Sequence, residues 1–106
     1  PYSYPIAHAY SNCAWFYFQL RDYQNAQANA LKAYETFLSN PNISQGGQVI
    51  DDLYAENLLN LAAAYHYQGE KEEALSRFNE ADNLIAMHYA KYSELVQKRD
   101  GLKAVI

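Results

Sequence analysis

The side chains best suited to acid–base or metal chemistry near neutral pH are three histidines and a short acidic run. His8, His66 and His88 have no neighbouring Cys, Asp or His at the spacing of a metal-ligand pair. The acidic run from Glu70 to Glu73 opens a predicted helix, where the helix dipole stabilises carboxylates. We therefore expect surface histidines and a solvated first turn rather than a metal site.

Motifs of nucleophilic or phosphate chemistry are missing from the sequence. It contains no G-x-S-x-G turn, no glycine-rich phosphate loop and no Cys–His arrangement. Cys13 is the only cysteine, so no internal disulfide can form, and a reducing compartment is favoured. We expect no enzyme activity and no bound cofactor in this segment.

Charge and hydropathy argue against two classes of partner. The formal net charge is −4, and the eight Lys and Arg residues are spread along the chain, which disfavours a nucleic-acid-binding face. No apolar run approaches the ~18 residues of a membrane span. Residue 1 is proline and the only methionine is Met87, so we interpret the chain as a piece of a longer polypeptide. We expect a cytoplasmic location, with no nucleic acid and no membrane as partner.

The stretch from residue 57 to residue 84 carries the clearest structural pattern. Apolar residues recur at helical spacing on both sides of Gly69, which interrupts the period. They are Leu58, Leu61, Ala62, Tyr65, Ala74, Phe78 and Ala81. Alanines let two helix axes approach closely, while the larger side chains fill the angle between the helices. The pattern predicts two amphipathic helices joined by a tight turn.

A second copy of this pattern lies 48 residues upstream. The identical pairs are Asn12 and Asn60, Ala14 and Ala62, Tyr17 and Tyr65, Ala26 and Ala74, and Ala33 and Ala81. In the turn, Arg21 stands where the second copy has Gly69. Arg21 must then avoid a positive φ or tolerate strain.

The spacing of Leu-Ala, Tyr, Gly, Ala, Phe and Ala resembles the tetratricopeptide repeat, a helix-turn-helix unit of about 34 residues that stacks into solenoids. The resemblance covers roughly residues 7–88. It departs from the family at Lys71, where an aromatic residue is usual, and at Ala86, where a proline normally ends the second helix. The 48-residue offset exceeds the usual period of the family by 14 residues, and this surplus falls between helices, around Ser39 to Asp52.

The predicted fold is all-α, a single domain of two antiparallel helical hairpins with an extended last helix. The expected helices span about residues 7–20, 23–38, 48–68 and 71–99. The first repeat covers about 7–40, the connector 40–47, the second repeat about 48–88, and a C-terminal extension or cap 89–106. Nothing stops the last helix before Gly101, so we expect it to be continuous. The alternative is a break near His88 and a short capping helix from Ser93.

The inward stripe of the first helix is predicted from its apolar spacing. It contains Ile6, Tyr10, Cys13, Ala14 and Tyr17. Cys13 would then be a small buried apolar group. Most of the eleven tyrosines are likewise expected in the core, including Tyr54, Tyr65, Tyr89 and Tyr92.

In tetratricopeptide arrays, a second stripe on the first helix of each repeat lines a concave groove for peptides or partner helices. Here that stripe and its border contain Ser11, Asn12, Trp15, Phe18, Leu59, Asn60, Ala63, His66 and Tyr67. The resemblance implies that the two asparagines bind a partner's backbone. We expect one partly exposed strip, formed by Trp15, Phe18, Leu59, His66 and Tyr67, beside a buried Tyr17 and Tyr65.

The sequence thus predicts a non-catalytic module that binds a protein or peptide segment in an apolar groove. One alternative is a sensory or dimerisation module of a larger bacterial regulator, either a peptide-responsive transcription factor or a sensor kinase. Another is a purely structural solenoid segment. A homodimer is a further expected partner, because cut solenoid ends expose apolar residues. Those residues are Phe16 and Phe18 at one end and Leu95, Val96 and Leu102 at the other.

Overall fold

The computed structural model describes residues 4–39, 52–88 and 91–106, and these residues form five α-helices and no strand. The helices are α1 Tyr4–Gln19, α2 Tyr23–Leu38, α3 Asp52–Tyr67, α4 Lys71–His88 and α5 Ser93–Lys103. The all-α prediction is confirmed, and consecutive helices pack against each other. The predicted connector 40–47 and the start of the third helix lie outside the described residues. None of the described helices combines the length and apolar character that crossing a membrane requires.

The third helix, α3, is the centre of the fold. Every residue from Asn57 to Tyr65 is buried. A helix buried all round needs neighbours on every side. Its neighbours are α1, α2, α4 and α5, which all contact it.

The repeated alanines are buried in the core of the fold. Each is at most 1% exposed: Ala14, Ala26, Ala33, Ala62, Ala74 and Ala81. Larger buried side chains, including Phe37, Leu58 and Ile85, fill the space between the helices. The alanine positions of the 48-residue offset are therefore packing positions in both hairpins.

Both hairpin turns close with the same backbone geometry. Arg21 has φ 62° and Gly69 has φ 83°, so both residues occupy the left-handed region. The closing hydrogen bonds run from the N–H groups of Asp22 and Glu70 to the carbonyl oxygens of Tyr17 and Tyr65, at 2.9 and 3.0 Å. This is the Schellman motif that commonly ends a helix. Arg21 thus tolerates the strained conformation that its place in the repeat requires.

The predicted inward stripe of α1 is wrong for several positions. Ile6 is 52% exposed and Cys13 is also exposed, whereas Ala7 and Ser11 are buried beside Ala14. Small side chains on this face let α1 approach its neighbours closely. The packing distance, rather than the size of the apolar residues, decides how α1 is rotated.

The prediction of one continuous last helix is also wrong. The helix α4 ends at His88, and α5 begins at Ser93 after Tyr92, which has an extended conformation and is itself exposed. Folding back places Leu95 and Leu102 in the core cluster. A continuous helix would carry both leucines away from that core, so their burial favours the break.

A polar network joins α2, α3 and α4. The Tyr54 hydroxyl donates to Glu80 at 2.8 Å, and Arg77 donates to both Glu80 and the Tyr34 hydroxyl. Burial, together with the hydrogen bond to Glu80, raises the pKa of Tyr54 well above its usual value. Tyr54 is therefore a neutral donor that holds the hairpins together near neutral pH.

The packing of Ala62 leads to a first prediction. Ala62 is completely buried, so Ala62→Trp should overpack the core and lower the free energy of unfolding by about 1–3 kcal/mol or more. Exposed Glu72→Gln is the control and should change it little. Equal thermal melting temperatures for the two variants would contradict this placement of α3.

The two turns lead to a second prediction. Arg21→Gly should raise the free energy of unfolding by up to about 1 kcal/mol, because relief of left-handed strain exceeds the extra entropy of glycine in the unfolded chain. Gly69→Ala should lower it by about 1 kcal/mol. A Cβ at Gly69 would meet no atom within 4 Å, so that cost is conformational. Denaturant titrations of both variants measure the effect, and shifts of the same sign would disprove it.

Candidate functional site

Six of the nine residues predicted for the second stripe and its border, here together called the strip residues, line one groove between α1, α3 and α5, here called the interhelical groove. They are Trp15, Phe18, Leu59, Asn60, Ala63 and Tyr67. The opposite wall comes from α5 and its end: Gln97, Lys98, Gly101, Leu102 and Val105. The groove has a volume of about 220 Å³. Residues far apart in the sequence thus lie on one concave surface.

The exposure of these residues separates a floor from a rim. Trp15 is 38% and Tyr67 47% exposed, whereas Leu59 is only 1% exposed. The prediction that Leu59 lies on a partly exposed strip is therefore wrong, because α3 is covered by helices on all sides. Tyr65 is buried as predicted, and Tyr17 is half-buried.

An aromatic cluster forms the rim at one end of the groove. Trp15 stacks on Phe18 with ring centroids 5.5 Å apart, and Tyr23 stacks on Tyr67 at 5.1 Å. Phe18 meets both tyrosines edge to face at 5.5 and 5.6 Å. Such contacts fix ring orientations before any ligand arrives. Sequence analysis did not assign Tyr23 to the groove, since it follows the turn rather than lying on the predicted stripe.

The cluster also lines a second, more open recess, here called the aromatic recess. Its volume is about 430 Å³, and Gln19 and Arg21 complete its wall. It shares Trp15, Phe18 and Tyr67 with the interhelical groove. The two concavities therefore form one continuous surface around Trp15.

Lys98 closes the groove from the side of α5. Its ammonium lies 4.0 Å from the centroid of the Trp15 ring and 3.2 Å from a carboxylate oxygen of Glu56. Burial lowers the pKa of Lys98, and the pairing with Glu56 offsets part of that effect. Sequence analysis missed this residue because a continuous last helix would not return to the groove.

Asn60 lies in the groove wall and is only 4% exposed. Its carboxamide oxygen is buried without a hydrogen-bond partner among the described residues. Buried polar atoms are normally hydrogen-bonded, so this oxygen carries a free-energy cost. The predicted role of Asn60 in binding a partner's backbone stays a prediction.

Three predicted strip residues do not line either concavity. Ser11 is buried, Asn12 is exposed and His66 is half-buried. The His66 ring packs against Tyr67 with centroids 5.0 Å apart, so it supports the rim from behind. The structure does not test the predicted contact of Ser11, Asn12 and His66 with a partner.

The end surfaces expected for self-association are partly covered by the chain itself. Leu95 and Leu102 are buried in the core, so the prediction that they form an open end is wrong. Phe16 remains 58% and Leu20 61% exposed at the end of α1. An apolar surface therefore persists at the end of α1, and Tyr92 and Val105 are also exposed in the C-terminal part of the described chain.

The groove residues provide surface for contact rather than groups for proton transfer. Its walls present aromatic faces and aliphatic side chains, with Asn60, Gln97 and Lys98 as polar groups. Within the described residues, no group of three His, Cys, Asp or Glu side chains could hold a metal ion. The arrangement is suited to binding an apolar segment and orienting it through a few polar contacts.

The contact between Lys98 and Trp15 leads to a third prediction. Lys98→Ala should shift tryptophan emission to longer wavelength, because the lysine stem no longer shields the ring from water. Trp15 is the only tryptophan, so the signal reports this contact alone. Lys103→Ala, on the exposed side of the same helix, is the control and should leave the spectrum unchanged. Identical spectra for both variants would mean that α5 does not cover Trp15.

Comparison with known proteins gives no further evidence about the groove. No family model, curated protein or solved structure matches this chain.

Proposed function

We propose that this chain is a non-catalytic interaction module, similar to a tetratricopeptide array, that binds a partner protein segment in the interhelical groove. The observation that carries the proposal is the convergence of six strip residues from two repeats on one concave surface. Trp15 and Tyr67 offer exposed aromatic area there, while Leu59 forms an apolar floor.

The repeat geometry supports the tetratricopeptide-like arrangement. The same turn recurs after 48 residues, and the paired alanines are buried in both hairpins. The helices that line the groove are α1, α3 and α5, which alternate along the chain with the outer helices α2 and α4. A concave surface built from alternate helices is what such a stack provides for a partner.

Taken without the adjoining aromatic recess, the interhelical groove has the size of a site for a peptide side chain rather than for a free small molecule. Its volume of about 220 Å³ is below the ~300–1,000 Å³ typical of small-ligand pockets. It is large enough for one or two apolar side chains. We therefore propose that the partner inserts apolar anchors while its backbone lies across the rim.

The aromatic cluster is suited to act as a binding hot spot. Trp15 contacts Phe18 and Lys98, and Tyr67 contacts Phe18 and Tyr23, so both exposed rings are held in place. Rings that are already ordered lose little conformational entropy when a partner binds. Tryptophan and tyrosine are also the residue types that most often dominate interface energies.

A fourth prediction tests this function. A displayed library of random 16-mer peptides would be selected on the full chain, and the retained peptides would be measured against variants. Trp15→Ala should weaken their binding by about 2 kcal/mol, roughly 30-fold in Kd, with little loss of thermal stability. The control is Leu75→Ala, which removes a half-exposed apolar side chain of α4 outside the groove and should not change the affinity.

Two results would contradict the proposal. One is retention of the same peptides with equal affinity by Trp15→Ala and Leu75→Ala. The other is selection of no peptide by the folded chain, which would favour a purely structural segment.

A further inference from the structure

The charged residues that line the surface around Trp15 are basic, whereas the chain as a whole is acidic. The sequence has twelve acidic and eight basic residues, a net charge of −4. Yet among the described residues no carboxylate lines the interhelical groove or the aromatic recess. The charged residues that line them are Lys98 in the groove and Arg21 in the recess. This surface is therefore an acid-free region of an acidic protein.

Each of these two cations has a neighbouring acidic residue that already has a partner within the chain. Asp22, next to Arg21, accepts hydrogen bonds from the backbone N–H and Nδ2 of Asn25 and so caps α2. Glu56 pairs with Lys98 from outside the groove. Within the described residues Arg21 has no ion pair, and its side chain is exposed.

From this charge complementarity we propose that the partner is an acidic peptide segment, in which large apolar residues are flanked by Asp or Glu. The inference rests on the proposed function and names the chemistry of its partner. The apolar residues bind over Trp15, and the carboxylates lie toward Arg21 on one side and Lys98 on the other.

The positions of Arg21 and Lys98 predict where the acidic residues of the peptide lie relative to its apolar anchor. Trp15 lines both concavities, with Arg21 in the wall of one and Lys98 in the wall of the other. A segment that spans both concavities, with its apolar anchor over Trp15, meets Lys98 in one concavity and Arg21 in the other. Carboxylates on both sides of the anchor satisfy this arrangement, whereas Lys or Arg there would meet like charge.

A single-stranded nucleic acid also combines stacking groups with negative charge, and aromatic rings beside cations can bind it. Its affinity depends on neutralising many phosphates with Lys and Arg. Here two cations line the surface, one of them already paired with Glu56, and the chain is acidic overall. The charge distribution therefore favours an acidic peptide.

The test uses two synthetic 12-residue peptides with the same leucine and phenylalanine residues, flanked by Glu in one and by Lys in the other. Each is titrated into the full chain, and Trp15 emission reports binding. We expect the Glu peptide to bind at least about tenfold more tightly at low salt. The ratio should approach one in about 1 M salt, where the screening length is about 3 Å.

Two matched variants locate the effect. Arg21→Gln should reduce the preference for the Glu peptide several-fold. Lys71→Gln is the control, because it removes the same charge from an exposed residue outside both concavities and should leave the preference unchanged. Equal effects of both variants would mean that only net charge matters, which would overturn the proposed contact.

The remaining outcomes separate this inference from the proposed function. If the Lys peptide binds as tightly as the Glu peptide, the acidic partner is disproved while docking in the groove stands. If a single-stranded oligonucleotide binds more tightly than the Glu peptide, the partner class is wrong. If neither peptide binds and the library selects none, the proposed function fails as well.

Discussion

The burial of α3 is the constraint on which the rest of the structure depends. An unbroken run of buried residues from Asn57 to Tyr65 requires a neighbour on every face of this helix. The buried amide of Asn57 donates to the Ala30 carbonyl at 3.0 Å, which fixes α2 against α3 through a polar contact that a shifted helix would lose. The positions of α1, α4 and α5 follow from covering the remaining faces.

The interhelical groove is the place where this covering is incomplete. Both α1 and α5 pack on α3, yet the described parts of these two helices are in contact only through side chains such as Lys98 and Trp15. The space left between them is lined on the α3 side by Asn60 and Ala63, which are 4% and 7% exposed. A binding surface thus arises from the same requirement that stabilises the fold, without a separate structural element.

The strained residue of the first hairpin connects the repeat to the rim of the groove. The turn requires a left-handed residue, and Gly69 meets that requirement in the second hairpin without strain. In the first hairpin Arg21 occupies it, and its side chain lines the aromatic recess. Glycine there would stabilise the turn but remove the exposed cation, so the strain is consistent with a role for this side chain.

The sequence by itself determined the helical hairpins and the turn positions, whereas the groove residues were expected only from the resemblance to a repeat family. The hairpins and turns follow from helical periodicity and from a repeated spacing, both of which are local properties of the chain. Only the tertiary structure decided the rotation of α1 toward Ala7, the burial of Leu59 and the break after His88. Each of these depends on how closely distant helices approach and on the core that the last helix can reach. The free energy of these packing contacts comes from residues that are remote in sequence, so no local sequence pattern predicts them.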